Sequence, residues 1–305
     1  MSPDKFPSVS VVVPVYNDPD GLRATIRSLV EQTYPAARYE IVVVDNDSTD
    51  STPDVARSVA TAHSDLVSVE SETDVQGSYA ARNTGIEASD GEILAFVDAD
   101  VVADADWLET AVASMDAHDA AYAGCRVDVV CSERTCAGLY DAQMGFPVER
   151  YVTENNFAPT CALLVARDVV RDVGPFDEQL VSGGDVEFGQ RVADAGWTLH
   201  YVPDARVVHP ARSSLRSLLG KHLRVGRGIT QRWRRYPDRY DDSLSSYLWG
   251  VLPTHPLRFP ETFDSEWDRI SRSQQFGTYA VSCLVRLART TGRALERAET
   301  GLSIP

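Results

Sequence analysis

The chain has 305 residues with a formal charge of −16, from 45 acidic against 29 basic side chains; 43% of it is hydrophobic, and it contains five Trp. Such a chain can bury the core of one large α/β domain, or of a domain with an appendage, and is not a disordered tail. Acidity this strong argues against general nucleic-acid binding.

Among the basic residues only Lys5 and Lys221 are lysine. An Asp-rich, Lys-poor surface suits a cytoplasm of multimolar salt, because carboxylates hold hydration when water is scarce; an acidic protein of an ordinary cytoplasm is the plainer alternative. Cys125, Cys131, Cys136, Cys161 and Cys283 form no Cys-x-x-Cys pair, so free thiols in a reducing compartment are expected, not zinc. Met1–Pro7 lacks the apolar core of a signal peptide. No run reaches the roughly 18–20 apolar residues that span a bilayer. The nearest, Phe276–Leu287, contains Arg286. A cytoplasmic protein, soluble or peripheral on the membrane, is expected.

In chain order, Ser8–Val15 is a β-branched run too short for a helix and apolar on both faces, as a central parallel strand should be. It ends in Pro14-Val15-Tyr16-Asn17. Asp18–Asp20 then offer caps for a helix whose face carries Leu22, Ile26, Leu29 and Val30. A second strand, Glu40–Val44, runs into Asp45-Asn46-Asp47-Ser48-Thr49-Asp50, and Pro53 opens the next helix. Leu66–Glu70 reads as a third strand. Gly77 opens a short helix carrying Tyr79, Arg82, Asn83, Ile86 and Glu87, and Gly91 closes it before an Ile93–Val97 strand.

This β-α alternation over the first hundred residues predicts right-handed crossovers and a mostly parallel sheet, with ligands outside the carboxyl ends of the strands. Asn17, Asp45, Asp47, Asp98 and Asp100 all fall at such ends. No Gly-x-Gly-x-x-Gly follows the first strand and no Gly-Lys-Ser/Thr loop occurs, so dinucleotide oxidoreductases and P-loop enzymes fit poorly. On an extended segment Asp98 and Asp100 share one face, and two hard oxygen donors there suit Mg²⁺ or Mn²⁺. Taken alone, the triplet reads equally as a solvated acidic turn.

The second half is less regular. Ala121–Val130 and Thr160–Val165 look like strands. Ser182-Gly183-Gly184 leads to Asp185 and a helix carrying Val186, Phe188, Val192 and Ala193. Strands around Leu199–Val202 and Ala205–Val208 end at His209-Pro210. Arg206 to Arg239 holds ten basic residues against Asp238 alone. Leu215, Leu218, Leu219, Leu223, Ile229 and Trp233 suggest an apolar helical stripe there, with Arg216, Lys221, Arg224 and Arg227 outside it. Such a segment can lie on an anionic membrane, bind a lipid phosphate, or pack on a domain through ion pairs. Tyr236–Pro260 resembles a loop-rich cover, and Ser282–Ala298 a surface helix.

Five strings, PVYN at 14–17, VVDNDSTD at 43–50, ARNTGI at 81–86, FVDAD at 96–100 and GGDVEF at 183–188, resemble the inverting family 2 glycosyltransferases in that family's order. The resemblance implies a GT-A fold: a Rossmann-like, mostly parallel sheet flanked by helices. It divides the chain into a catalytic domain at 1–210, with a nucleotide-sugar half at about 1–100 and an acceptor half at 101–210, and a helical C-terminal extension at 211–305.

It further implies that Pro14, Asn17, Asp45 and Asp47 lie at the donor, Asp45 on the base, with Arg82 pairing to Asp45. Asp98 and Asp100 would serve ribose and metal, with His209 a further ligand. Asp185 would be the general base and Glu187 an acceptor contact. Where the family commonly has Glu-Asp this chain has Gly184-Asp185, which leaves Asp185 as the base, with Glu187 a weaker candidate. Plainer readings stand beside these: Asx-turns for Asp45 and Asp47, a surface cation for Arg82, a backbone cap for Asn83, a structural loop histidine for His209, and a helix cap for Asp185. The implied partners are a nucleotide-sugar donor and a lipid-linked glycan acceptor of dolichyl phosphate type, as in haloarchaeal assembly of surface-layer N-glycans. A sugar-nucleotidyltransferase, or a non-catalytic protein of the same fold, is the alternative; the first needs a glycine and a cation in Pro14–Asp20 beyond what stands there.

Overall fold

In the computed structural model, residues 6–240, 247, 250, 252 and 255–301 are described. The strands are β1 (Val9–Val15), β2 (Tyr39–Asp45), β3 (Val67–Ser71), β4 (Ile93–Phe96), β5 (Val102–Ala103), β6 (Tyr122–Val130), β7 (Leu163–Ala166) and β8 (Leu199–Pro210). The α-helices are α1 (Pro19–Val30), α2 (Thr52–Ala62), α3 (Ser78–Glu87), α4 (Trp107–Ala117), α5 (Cys136–Met144), α6 (Val148–Asn155), α7 (Arg167–Val173), α8 (Gly184–Asp194), α9 (Leu215–Arg235) and α10 (Arg272–Glu299).

One eight-stranded sheet runs in the order β3-β2-β1-β4-β7-β6-β8-β5. The first four strands are parallel, as the β-α alternation predicts, with Val15 opposite Asp45 and Val12 opposite Phe96. The later strands are not: β7 pairs antiparallel with both β4 and β6, and β5 with β8, so the sheet as a whole is mixed. The parallel half therefore presents the ends of β1, β2 and β4 along one edge.

Local chemistry explains the elements. All seven residues of β1 are buried, as a central strand requires. Asp18 caps α1 by accepting from the Gly21 amide at 2.9 Å, and Leu22, Ile26 and Leu29 face the core. Helix α3 lies directly on the sheet because Gly85 has no side chain: a Cβ there would stand 2.3 Å from Val12 Cγ1. Gly91 meets the Ser10 backbone in the same way, at 2.5 Å.

The chain divides into two compact units: 1–128, 146–179 and 184–209 form the first, and 129–145, 180–183 and 210–305 the second. The second unit thus draws two segments from within the span the sequence assigns to the catalytic domain. Within it, α9 and α10 meet at glycines. A Cβ on Gly226 would lie 2.0 Å from the Arg289 carbonyl oxygen, and one on Gly292 2.1 Å from that of Leu223.

Several expectations are revised. Leu199–Val202 and Ala205–Val208 are one 12-residue strand. Thr160–Ala162 is a 3-10 turn ahead of β7. The last helix begins at Arg272, capped by Ser271 and Gln274, and it is not merely superficial: Thr278, Val281, Ser282, Val285, Thr290 and Gly292 are buried. Of the proposed cover Tyr236–Pro260, residues 241–246, 248, 249, 251, 253 and 254 lie outside the described residues.

Gly85→Ala should destabilise the protein by about 1–3 kcal/mol, since the added methyl must displace Val12 or lift α3. Urea unfolding would measure this, and an unchanged midpoint would refute the close helix–sheet contact.

Candidate active site

The Asp98-Ala99-Asp100 triplet does not lie on an extended segment. Strand β4 stops at Phe96, and the Val101 amide donates to the Asp98 carbonyl at 3.1 Å, closing a turn that carries both acids. Helix α1 holds this turn: the buried Thr25 hydroxyl donates to the Val101 carbonyl at 2.7 Å. The two carboxylates are brought together by a turn, not by the pleat the sequence predicts.

From the far end of β8, His209 completes the group. One ligand atom each from Asp98, Asp100 and His209 lies within 4.8 Å of the others. His209 is buried, its Nε2 stands 3.7 Å from Asp100 Oδ1, and the Phe146 ring lies 5.6 Å from its own. Ligand atoms around one octahedral ion with bonds of about 2.1 Å sit about 3 to 4 Å apart, close to this spread. Two carboxylates with an imidazole suit Mn²⁺, and admit Mg²⁺ that keeps its waters.

Arg82 is almost fully buried at 3% exposure and pairs through Nη2 with Asp98 Oδ1 at 2.5 Å. This corrects the expected pairing with Asp45. Asp98 sits on the turn that follows β4, the strand beside β1 against which α3 packs, whereas Asp45 ends β2. Asp45 is itself buried, and its Oδ1 has no hydrogen-bond partner; Arg82 Nε is likewise unmatched. Buried polar atoms are rarely left so, which marks both as positions where a ligand could supply a partner.

The VVDNDSTD loop divides its labour. Asn46 donates to the Glu72 and Val75 carbonyls and accepts from the Gly77 amide at 2.7 Å, fixing the approach to α3. Asp47 is exposed, with φ at 59°. Asp50 accepts from the Thr52 amide at 2.8 Å at the start of α2. Asn17, with φ at 50°, accepts from the Thr49 amide at 2.8 Å, and its own amide donates to Ser48 Oγ at 2.9 Å. Its side-chain oxygen therefore ties the β1 loop to the β2 loop. Pro14 is buried in β1 opposite Val44, so it shapes the strand end and presents no donor contact.

Asp185 opens α8 and is half-buried. Two contacts link it to Tyr79: Asp185 Oδ1 and the Asp185 amide each stand 3.4 Å from the Tyr79 hydroxyl. The Val186 amide also donates to Oδ1, at 3.0 Å. Burial pushes the Tyr79 phenol well above its ordinary range, and the Asp185 carboxylate adds to this, so the hydroxyl keeps its proton. Gly184 makes the arrangement possible, because a Cβ would lie 2.8 Å from the Tyr79 ring. A side chain at 184 would have to displace that ring.

Tyr79 also connects the two ends of the site. The Arg82 guanidinium carbon lies 5.5 Å from its ring centroid, so Asp98, Arg82, Tyr79 and Asp185 form one continuous series of contacts. Beneath them Phe176 stacks on Tyr79 at 5.8 Å and meets Phe96 at 5.3 Å and Phe188 at 4.5 Å, locking α8 to the end of β4. Burial pushes the Cys161 thiol well up, and the Asp98, Asp100 and Asp185 carboxylates raise it further while Arg82 opposes them. All four charges therefore act on one buried point. Sequence reasoning gave a site role to neither Tyr79 nor Cys161. The three-residue step from Tyr79 to Arg82, which puts both on one helical face, was the available signal.

Three residues expected to make acceptor or membrane contacts are engaged within the fold. Glu187 is 1% exposed and held bidentately by Arg191, at 2.8 and 2.9 Å. Arg191 in turn donates to the Val173, Gly174 and Pro175 carbonyls, so the pair is a structural clamp and not an acceptor contact. In the second unit, Lys221 binds the buried Asp141 at 3.1 Å and Arg227 binds Glu299 at 2.5 Å, while Arg216 and Arg224 are exposed. A cavity of about 1020 Å³, lined by His118, Trp197, His200 and Tyr201 among others, contains none of the predicted site residues.

Comparison with known proteins accords with this geometry. The model for Glycosyl transferase family 2 matches residues 10–163, and that for Glycosyl transferase family group 2 matches 93–285. Glycosyltransferase AglE of Haloferax volcanii is 37% identical over 292 residues, covering 94% of this chain and 95% of that protein. The pre-mycofactocin glycosyltransferase of Mycobacterium tuberculosis is 30% identical over 76% of this chain, which spans only 48% of that relative. Among solved structures, the mannosyltransferase PcManGT from Pyrobaculum calidifontis, in complex with GDP-Man and Mn²⁺, superposes with a TM-score of 0.66 at 21% identity, covering 97% of this chain and 88% of that one. Residues 1–349 of S. aureus TarS, in complex with UDP-GlcNAc, give 0.55 at 17% identity, covering 98% and 93%. These likenesses establish the GT-A fold, and the sequence matches establish that the chain belongs to glycosyltransferase family 2.

Proposed function

We propose that the chain moves a sugar, with inversion at its anomeric carbon, from a nucleoside-diphosphate sugar to a hydroxyl of a lipid-linked glycan of dolichyl phosphate type. The observation that carries this reading is the convergence of Asp98, Asp100 and His209 within 4.8 Å, joined through Arg82 and Tyr79 to the half-buried Asp185. The complexes of PcManGT with GDP-Man and Mn²⁺ and of TarS with UDP-GlcNAc support the donor class. The acceptor class, and with it a role in surface-layer glycoprotein N-glycosylation on the cytoplasmic membrane face, rests on the family resemblance, the acidic and lysine-poor composition and the basic segment 206–239.

In this reading Asp45 Oδ1 accepts from the nucleobase, which supplies its missing partner. Asn17 and Asp47 shape the loops around the nucleoside. Asp98, Asp100 and His209 would hold a divalent cation, which would supply charge neutralisation at the departing diphosphate in place of a protein acid. Asp185 takes the acceptor hydroxyl proton as that oxygen attacks the anomeric carbon, and the bond from that carbon to the phosphate oxygen breaks. The sugar ends on the acceptor, the proton on Asp185, and the nucleoside diphosphate leaves. Tyr79 orients Asp185 and does not itself touch the reacting atoms.

Three substitutions test these roles. Asp100→Ala should remove Mn²⁺-dependent thermal stabilisation by nucleotide sugars, and stabilisation equal to that of the unaltered protein would sink the cation assignment. Asp185→Asn should keep donor binding and lower transfer by about 10²–10⁴-fold; near-normal turnover would exclude it as base. Tyr79→Phe removes a donor from the carboxylate, which is then more easily protonated. The acid limb of the rate profile should move to higher pH with donor affinity unchanged, and an unmoved limb would reduce Tyr79 to packing.

A further inference from the structure

Helices α9 and α10 break the chain's charge pattern. Acids make up 45 of its 305 residues, yet α9 holds none against seven basic residues, and none occurs from residue 270 through 295. Helix α10 also turns much of its polarity inward. Beside Val281 and Val285, its buried face carries Thr278, Ser282, Thr290, Arg293, Glu296 and Arg297. Its exposed large hydrophobic side chains are Phe276 at 76%, Leu284 at 41%, Leu287 at 54% and Leu295 at 39%.

At about 100° per residue these four fall on one stripe with Ala280, Cys283 and Ala294, interrupted by one hydroxyl, that of Thr291. The stripe lies opposite the Arg289–Gly292 contact with α9. It runs for about 30 Å at a rise of about 1.5 Å per residue. A contiguous apolar stripe of this length on an exposed helix face marks an interaction site. Among the described residues no helix is long and apolar enough to cross a membrane, so the face lies along a surface and does not traverse one.

We infer that the outward face of α10 is a lipid-contact surface, lying in the interfacial zone of an anionic membrane with its apolar side chains inserted. Charge decides the occupant. A helix pair of net positive charge is attracted to anionic headgroups, and Arg272, exposed beside Phe276, is placed to reach them while its stem stays on the apolar stripe. The inference deepens the proposed function, on whose lipid-linked acceptor it rests, by naming the surface that meets the lipid. It also moves the weight from Lys221 and Arg227, which are paired, to α10.

Flotation of the full chain with phosphatidylglycerol vesicles, and separately with phosphatidylcholine vesicles, tests this. The protein should float with the anionic vesicles and much less with the neutral ones. Part of the binding should persist at about 1 M salt, where the screening length is about 3 Å. The double variant Phe276→Glu/Leu287→Glu should lower the bound fraction about tenfold or more. Both sites are exposed, so folding is retained, and far-UV circular dichroism with a thermal scan checks it. Failure of the unaltered chain to float, or equal flotation of the variant, would overturn the inference. So would a dimer in sedimentation that the variant dissolves while neither form floats, since a second copy would then cover the face. Mn²⁺-dependent nucleotide-sugar binding measured on the same samples separates the two readings: binding without flotation removes only the lipid surface, and flotation without binding removes only the transferase.

Discussion

The buried ion pair between Arg82 and Asp98 is the constraint on which the site depends. Asp98 and Asp100 are two residues apart on one tight turn, and like charges so close repel each other unless a cation stands near. Arg82 supplies that cation from within the fold, at 3% exposure. A guanidinium so deeply buried is tolerable only when paired. The turn and the arginine therefore hold each other in place: removing the half-buried Asp98 carboxylate leaves the Arg82 guanidinium uncompensated in the interior. Helix α3 can deliver the arginine only because Gly85 lets it lie on Val12 without an intervening side chain. One turn earlier the same helix delivers Tyr79 to Asp185. A single close helix–sheet contact thus sets the spacing between the carboxylates that suit a cation and the carboxylate that suits a proton.

Two acids on α8 illustrate how environment, and not residue type, assigns roles. Asp185 and Glu187 are two positions apart in one helix. Glu187 is 1% exposed and its two oxygens are both taken by Arg191, whose other donors go to backbone carbonyls at 173–175. It has no capacity left for substrate chemistry. Its contribution is indirect, because the clamp fixes the loop that ends in Phe176, and Phe176 stacks under Tyr79. Asp185 sits half-exposed at the helix start, where backbone amides orient it and a glycine on its N-terminal side leaves room for the phenol.

Much of this was legible in the sequence. The β-branched run of β1, the alternation through β4 and the acids at strand ends follow from period and topology alone, and they place Asp45, Asp98 and Asp100 at one edge. What was not legible has definite physical causes. The antiparallel pairing of β7 is set by tertiary contacts across the sheet, and four-residue apolar runs carry no direction. Asp98 and Asp100 were assigned to a pleat because a hydrogen bond from Val101 leaves no mark in composition. Arg82 was given the wrong partner because sequence order does not reveal which carboxylate a helix faces. Glu187 was read as functional because its Arg191 partner, one helical turn on, was not weighed as a clamp.

The last helix, expected as a surface helix, has a buried face as well, for a reason that bears on the second unit as a whole. Amphipathic periodicity identifies a helical face but does not say which face is buried. In α10 the small and polar face turns inward, because Gly226 and Gly292 let the two backbones approach to a distance that bulky residues forbid. Close backbone contact, the Tyr247 ring over Arg293 and the Trp233 ring under Arg297 then take the place of an apolar seam. Elsewhere in the unit an ordinary core of Leu218, Phe259, Phe263, Val281 and Val285 remains. Aligning α10 by its leucines instead would bury an apolar stripe but drive the buried Arg293 and Arg297 outward and lose the glycine contact. The observed register keeps those arginines packed and leaves Phe276 and Leu287 outside. In water such an arrangement forfeits the hydrophobic contribution of those side chains, about 1.5–3 kcal/mol each when fully buried, which insertion into a lipid surface would restore.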